Sequence, residues 1–367
     1  MSNDHAGYKI DGHMTFALLL NYINATAVLL VLAPVRVAGH DSWMSPVIVT
    51  PSAAYLIFVV YQLDKLYPGK TIIEYLPLLL GNILGKAVGL GYVLFFAWIG
   101  ATVIKEFTAL IFGTGVFTLT PEIIVILLLI IATTYATAHG LEVIGRVMSL
   151  FWLIIVLIYL IFIIQVLPYI KVSALLPVGE AGLYDILKSS FVAHGFRGEY
   201  IILAMLSPYI RSSREALLSA NIANIMTTFI ILVTLIAAIT VMGVGITARS
   251  YFTPFNIADF LPTVGIKSFL VFTWIIGFWG KAALSQFVVT DGLVKLLGLR
   301  EQRPIILPVA VLLVVFSLTF YENSTDLFET ISRVLPGMGL FFEYLIPTLL
   351  LIAGLIRRKA HHRTRPT

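Results

Sequence analysis

The residues best placed to do chemistry form one hexapeptide, His194-Gly195-Phe196-Arg197-Gly198-Glu199, which sets two glycines and both signs of charge between the apolar flanks 187 to 193 and 200 to 206. Unpaired charge at membrane depth costs roughly several kcal/mol, so these groups imply ion pairing, hydrogen bonding to a polar solute, or proton transfer. On a helix Gly195 and Glu199 share a face while Arg197 points nearly away from Glu199, so the two charges need partners on different neighbours. Two further apolar stretches carry charge. Glu106 lies on a small and polar stripe with Thr102, Ala109 and Gly113, and Lys105 beside it points elsewhere; Thr273, Gly277, Lys281 and Ser285 recur at intervals of four, which aims a lysine at protein rather than lipid. Lys281 is expected to pair with Glu106 or Glu199.

The first apolar stretch is interrupted by Asn21, Asn24 and Thr26, whose amides and hydroxyl either contact a solute or act as polar glue between packed helices. The candidate substrate-binding set is therefore Asn24, Ala25, Thr26, Gly195, Phe196, Gly198, Glu199, Trp98 and Thr273. Lys105, Glu106, Arg197 and Lys281 form the candidate set for charge pairing or proton coupling. Glu343, in the last apolar run, is given no role because it could snorkel or lie at an interface.

Elements that place such groups must themselves be apolar, and they are. Of 367 residues 59% are hydrophobic and 12% charged, with mean hydropathy +0.98, against about 25% charged in soluble domains. Cysteine is absent, which excludes disulfides and thiolate chemistry. No metal-ligand spacing, phosphate-binding glycine loop or nucleophile elbow stands out, so neither a cofactor nor an enzymatic activity is expected. The net charge of +5 does not point to nucleic acid, because much of it sits in the tail 357–367, directly after an apolar run, where it suits an anionic lipid surface. The stretch before the first apolar run carries Asp4, His5, Lys9 and Asp11 and lacks a cleavable signal, so that run is expected to be retained.

At roughly 20 residues per bilayer crossing, about ten transmembrane helices are expected, near 14–36, 44–63, 84–114, 121–139, 145–168, 184–209, 216–246, 268–297, 304–320 and 336–356. They make a single all-α transmembrane domain, 1–367. Ten spans put most of the 24 Lys and Arg on the side shared by both termini, with Lys105, Arg197 and Lys281 inside spans, which orients the termini to the cytoplasm. The polar stretch 246–267 reads as an external loop holding a short helix. Five spans followed by five give halves of opposite orientation, 14–168 and 184–356, the arrangement of inverted-repeat transporters with broken helices 1 and 6.

Three segments carry a family likeness. Ala38-Gly39-His40-Asp41-Ser42-Trp43, Phe196-Arg197-Gly198-Glu199 followed by Pro208, and Ile346-Pro347 followed by Leu349-Leu350 and the basic end resemble the spore germination receptor B-subunit family (GerAB type), within the amino acid, polyamine and organocation transporter superfamily of LeuT-like fold. The resemblance spans essentially the whole chain. It departs in the first helix, where the family often has a glycine pair and this chain has Asn24-Ala25-Thr26.

The resemblance implies a nutrient sensor in a bacterial cell membrane or spore inner membrane. It would bind an amino acid or similar small germinant at mid-membrane between helices one, three, six and eight, beside an A-type membrane subunit and a C-type lipoprotein. The alternative is an amino-acid permease of the same superfamily, proton-coupled or exchanging.

Overall fold

A chain this apolar must satisfy its backbone polar groups internally wherever lipid surrounds it, and helices do so segment by segment. The computed structural model describes residues 9–27, 31–115, 119–261 and 265–363, and it is helical nearly throughout. The helices are α1 (Gly12–Ala27), α2 (Leu32–Ala38), α3 (Met44–Leu66), α4 (Ile72–Leu80), α5 (Asn82–Gly113), α6 (Glu122–His139), α7 (Leu141–Val166) and α8 (Gly182–Arg197). They continue with α9 (Leu203–Leu206), α10 (Ser213–Met242), α11 (Val244–Thr247), α12 (Thr253–Ile257), α13 (Ile266–Leu297), α14 (Arg303–Thr319), α15 (Ser324–Gly339) and α16 (Ile346–Arg363).

Each of the ten expected spans coincides with one of these helices or with a run of them. Seven stretches among the described residues are individually long and apolar enough to cross a bilayer, and Arg303–Thr319 is a shorter apolar helix. The last span begins earlier than its hydropathy suggests: α15 starts at Ser324 and runs through a π-helical turn, Leu340–Leu345, into α16. Its first turns are polar, with Asn323 capping the Asp326 N–H, so the apolar run registers only from its middle. The stretch 246–267 contains the expected short helix, α12; its residues 262–264 lie outside the described ones.

The first and sixth spans are composite. The first is helical through Ala27 and again from Leu32; residues 28–30 lie outside the described ones. The sixth is α8, then a 310 segment Gly198–Ile202, the single turn α9 and a second 310 turn, Ser207–Tyr209. It is tightened at Gly198 rather than unwound, and the residues on both sides of the change are buried.

Helix α13 packs along α5, and both meet α14; α13 also contacts α1, α6 and α7, while α8 lies against α2, α3 and α15. Large apolar side chains on the outer faces of α6 and α7, such as Leu128, Ile131, Leu150 and Ile164, are exposed, as a lipid-facing surface requires. At the ends of the bundle, Ile10 N–H donates to Tyr209 O and Arg211 N–H to Ile10 O, which stitches the entry of α1 to the exit of the sixth span.

The Gly39–Trp43 motif forms a 310 turn after α2. Buried Asp41 accepts the Gly179 N–H at 2.8 Å and the Ala181 N–H at 3.0 Å, and His40 Nε2 hydrogen-bonds Pro177 O at 2.6 Å. The motif thereby fixes the loop that feeds α8. Asp41→Ala strands both amides and is expected to lower stability by about 1–3 kcal/mol, read as a lower unfolding temperature together with faster hydrogen exchange at 177–182; unchanged exchange there would refute the strap.

Candidate functional site

Lys281 is 1% exposed, and its ammonium lies 2.6 Å from Glu199 Oε2 and 2.5 Å from Thr26 Oγ1, to which it donates, with the Tyr22 ring 4.9 Å away. The contact joins the end of α1, the 310 segment after α8, and the middle of α13. The expected pairing of Lys281 is thus made with Glu199. Small residues let the helices come this close: Gly277 faces Ala25 of α1, and a Cβ on Gly280 would fall 2.6 Å from Asn21 Oδ1 and 2.4 Å from Met148 Sδ. Mutual attraction offsets the desolvation of two buried charges only where geometry is good and further hydrogen bonds help. Thr26 supplies the hydrogen bond, and the Tyr22 ring adds a cation–π contact.

Glu106 of α5 approaches the same place from a third side. It is fully buried, and neither carboxylate oxygen has a hydrogen-bond partner. Together with Thr26, Trp98, Thr102, Phe196, Glu199 and Lys281 it lines a cavity of about 10 Å³, room for a single water. Two larger hollows, about 450 Å³ beside Arg249 and about 390 Å³ beside Arg303, contain none of these buried charges and are open to the surface. The small central cavity has the chemistry: an acid without a partner, an ammonium–carboxylate pair, a hydroxyl and two aromatic walls.

The remaining expected residues divide. Asn24, Ala25 and Thr273 line a second hollow of about 60 Å³ with Trp274 and Tyr159, and Asn24 Nδ2 donates to Leu20 O and to Thr227 Oγ1 of α10, the bonding of polar glue. The backbone N–H groups of Asn24 to Thr26 lie within α1 and are tied into its ladder. Arg197 finds its partners on other helices, as its direction requires: it donates to Asn224 O at 2.9 Å, to Asn224 Oδ1 and Thr228 Oγ1 at 2.5 Å, and to Thr50 Oγ1 at 3.3 Å. It clamps α8 to α3 and α10. Lys105 leaves the cavity altogether and pairs with Glu122 of α6 at 2.8 Å. Gly195 and Gly198 serve close approach: a Cβ on Gly195 would lie 2.8 Å from Leu335 Cγ, and one on Gly198 would lie 1.9 Å from Glu343 Oε2.

Glu343 is the residue that sequence reasoning left out. It is fully enclosed on the π-helical turn, with both oxygens lacking a partner. The signal was available, since Glu343 interrupts an apolar run as Glu199 does; what could not be read was that the π-helical turn between α15 and α16 places it inside the bundle.

The sequence pattern of the family described as "Spore germination protein" matches residues 9–325. The chain belongs to this spore germination protein family. Similar family members include Spore germination protein KB of Bacillus subtilis (strain 168), 25% identical over 347 residues that cover 92% of each chain. Putative spore germination protein YfkT of the same strain is 28% identical over 333 residues, 88% of each, and Spore germination protein GerQB of Bacillus cereus is 20% identical over 354, covering 94% of this chain and 96% of that one. Among solved structures, Mhp1, a nucleobase-cation-symport-1 family transporter in a closed conformation with bromovinylhydantoin bound, superposes with a TM-score of 0.65 at 12% identity, covering 94% of this chain and 78% of that one. At that identity the likeness shows the fold alone, and the germination-family chain has the LeuT-like transporter fold.

Removing one member of the buried pair leaves the other uncompensated. Lys281→Ala is expected to destabilise the chain by roughly 3–5 kcal/mol, and Lys281→Met combined with Glu199→Leu to recover most of the loss in thermal unfolding; additive losses would show that the pair is not coupled. Gly198→Ala should cost about 1–3 kcal/mol by overpacking, and Gly198→Ala with Glu343→Ala less than Gly198→Ala alone.

Proposed function

We propose that the chain is the nutrient-sensing subunit of a spore germination receptor and that it binds an amino acid, or a similar small zwitterion, at the Glu199–Lys281–Glu106 cavity. The observation that carries this reading is Glu106, buried and without a partner beside an ammonium–carboxylate pair. A zwitterion complements the arrangement: its ammonium answers Glu106, its carboxylate meets Lys281, and Trp98 and Phe196 enclose its side chain. Charge-assisted hydrogen bonds of this kind are about twice as strong as neutral ones.

The cavity as it stands holds no more than a water, so binding opens it, and the opening is a conformational signal that an A-type membrane subunit and a C-type lipoprotein would receive. In this reading the five-plus-five halves, 14–168 and 184–356 of a single domain, leave both termini on one side of a bacterial cell membrane or spore inner membrane, and the excess of Lys and Arg on that side supports the cytoplasmic one. The Mhp1-like fold favours a second reading, in which the same pocket alternates access and the chain is an amino-acid permease.

Full-length protein in lipid nanodiscs, screened by thermal unfolding and calorimetry against amino acids, sugars and nucleosides, is expected to be stabilised by an amino acid. Glu106→Gln is expected to weaken that binding tenfold or more, a loss of about 1.4 kcal/mol. Stabilisation by none of the amino acids, or equal affinity in Glu106→Gln, would refute the site. Uptake of the same labelled amino acid into liposomes holding this chain alone would decide for the permease.

A further inference from the structure

We propose that Glu343 is a proton-binding site, distinct from the solute cavity, whose proton sits against the glycine at which the sixth span changes pitch. Glu343 is absent from the lining of the central cavity, is 0% exposed, and has no hydrogen-bond partner for either oxygen. It projects from a π-helical turn, a wide-turn irregularity frequent at functional sites. Its Oε2 lies over two glycines: a Cβ would come within 1.9 Å of it at Gly198 and within 2.5 Å at Gly339.

The groups that face it leave no cation for it. Lys281 of α13 and Glu199 of the 310 segment lie within electrostatic reach, but Lys281 is bound to Glu199 and Thr26. Arg197 of α8 makes its hydrogen bonds to Asn224, Thr228 and Thr50 through one nitrogen, Nη2; its Nε and Nη1 are buried without a partner, and neither reaches a Glu343 oxygen. Tyr22 of α1, Tyr92 of α5 and Tyr344 of the π turn lie within electrostatic reach of the carboxyl; the Tyr92 hydroxyl donates to Phe342 O at 2.7 Å. His194 is turned toward Ser52 Oγ of α3 at 2.9 Å. A bare carboxylate here would carry the full desolvation cost of a buried charge. A metal ion needs several oxygen ligands, and among the described residues no group of three or more His, Cys, Asp or Glu could hold one. A proton needs a single oxygen and fits.

When the O–H bond breaks, the electron pair stays on the carboxylate and the proton passes to water. The negative charge then stands against Gly198 and repels Glu199, the next residue, which competes with the grip of Glu199 on Lys281. Proton occupancy of Glu343 and the geometry of the sixth span are therefore coupled, whatever solute the central cavity takes.

The test uses the full chain in lipid nanodiscs. Infrared difference spectra at neutral pH between wild type and Glu343→Gln should show the loss of one protonated-carboxyl C=O band, with Glu106→Gln leaving that band in place. Because glutamine keeps the shape of the neutral acid, the Glu343→Gln protein should fold with an undiminished unfolding temperature. An unchanged carboxyl region, or a Glu343→Gln protein that fails to fold or melts much earlier, would overturn the proposal by showing an ionised, partnered group. Amide exchange over 198–206, corrected for intrinsic rates, should rise severalfold in wild type in step with the loss of that band as pH is raised and stay flat in Glu343→Gln; a parallel rise in both, or loss of the band with no faster exchange, would overturn the link to the sixth span.

Discussion

Charge inside an apolar bundle must be answered by opposite charge, by dipoles or by a proton, and in this chain that demand organises the centre of the molecule. Lys281 and Glu199 neutralise each other at 2.6 Å, and doing so fixes three elements at once: α1 through Thr26, the sixth span through Glu199, and α13 through the lysine itself. The same demand explains Arg197, whose guanidinium lies among neutral acceptors from α3 and α10, and Lys105, which turns to Glu122 on α6. Glu106 and Glu343 are the exceptions, carboxyls that have no protein partner at all. A stable fold concentrates such exceptions where function requires them, because each unpartnered buried acid costs stability that packing has to supply.

The small residues follow from the charges. Bringing a lysine to a glutamate across three helices requires backbones to approach closely, and Gly277 and Gly280 do this on α13 as Gly195 and Gly198 do on the sixth span. Small residues at interfaces are the usual means by which helices associate where lipid gives no hydrophobic drive. The glycines flanking Arg197 are for this reason occupied by neighbouring side chains, Leu335 and Glu343, and the chain tightens into a 310 segment there without opening.

Much of this was legible in the residues. Hydropathy located the helices because lipid leaves the backbone no alternative, and the four-residue interval of Thr273, Gly277, Lys281 and Ser285 pointed the lysine inward. The opposed directions of Arg197 and Glu199 implied different partner helices, and the structure supplies α10 and α3 for one and α13 for the other. Which of two glutamates would hold Lys281 was not legible, because local spacing says nothing about distances between helices. Glu343 escaped for a related reason: near the end of an apolar run, the same letter reads equally well as a snorkelling surface acid. The assignment of Asn24 and Thr273 to a hollow apart from Thr26 is also invisible locally, since Asn24 and Thr26 are two residues apart and face different neighbours.

The bridge between Ile10 and Ile210 gives the bundle a mechanical linkage as well as a seam. It ties the approach to α1 to the lower limb of the sixth span, while Lys281 ties the far end of α1 to the upper part of that limb. Both attachments, at Glu199 and at Ile210, lie beyond Gly198, so the first helix is fastened at its two ends to one limb, and a swing of that limb about Gly198 carries the first helix with it.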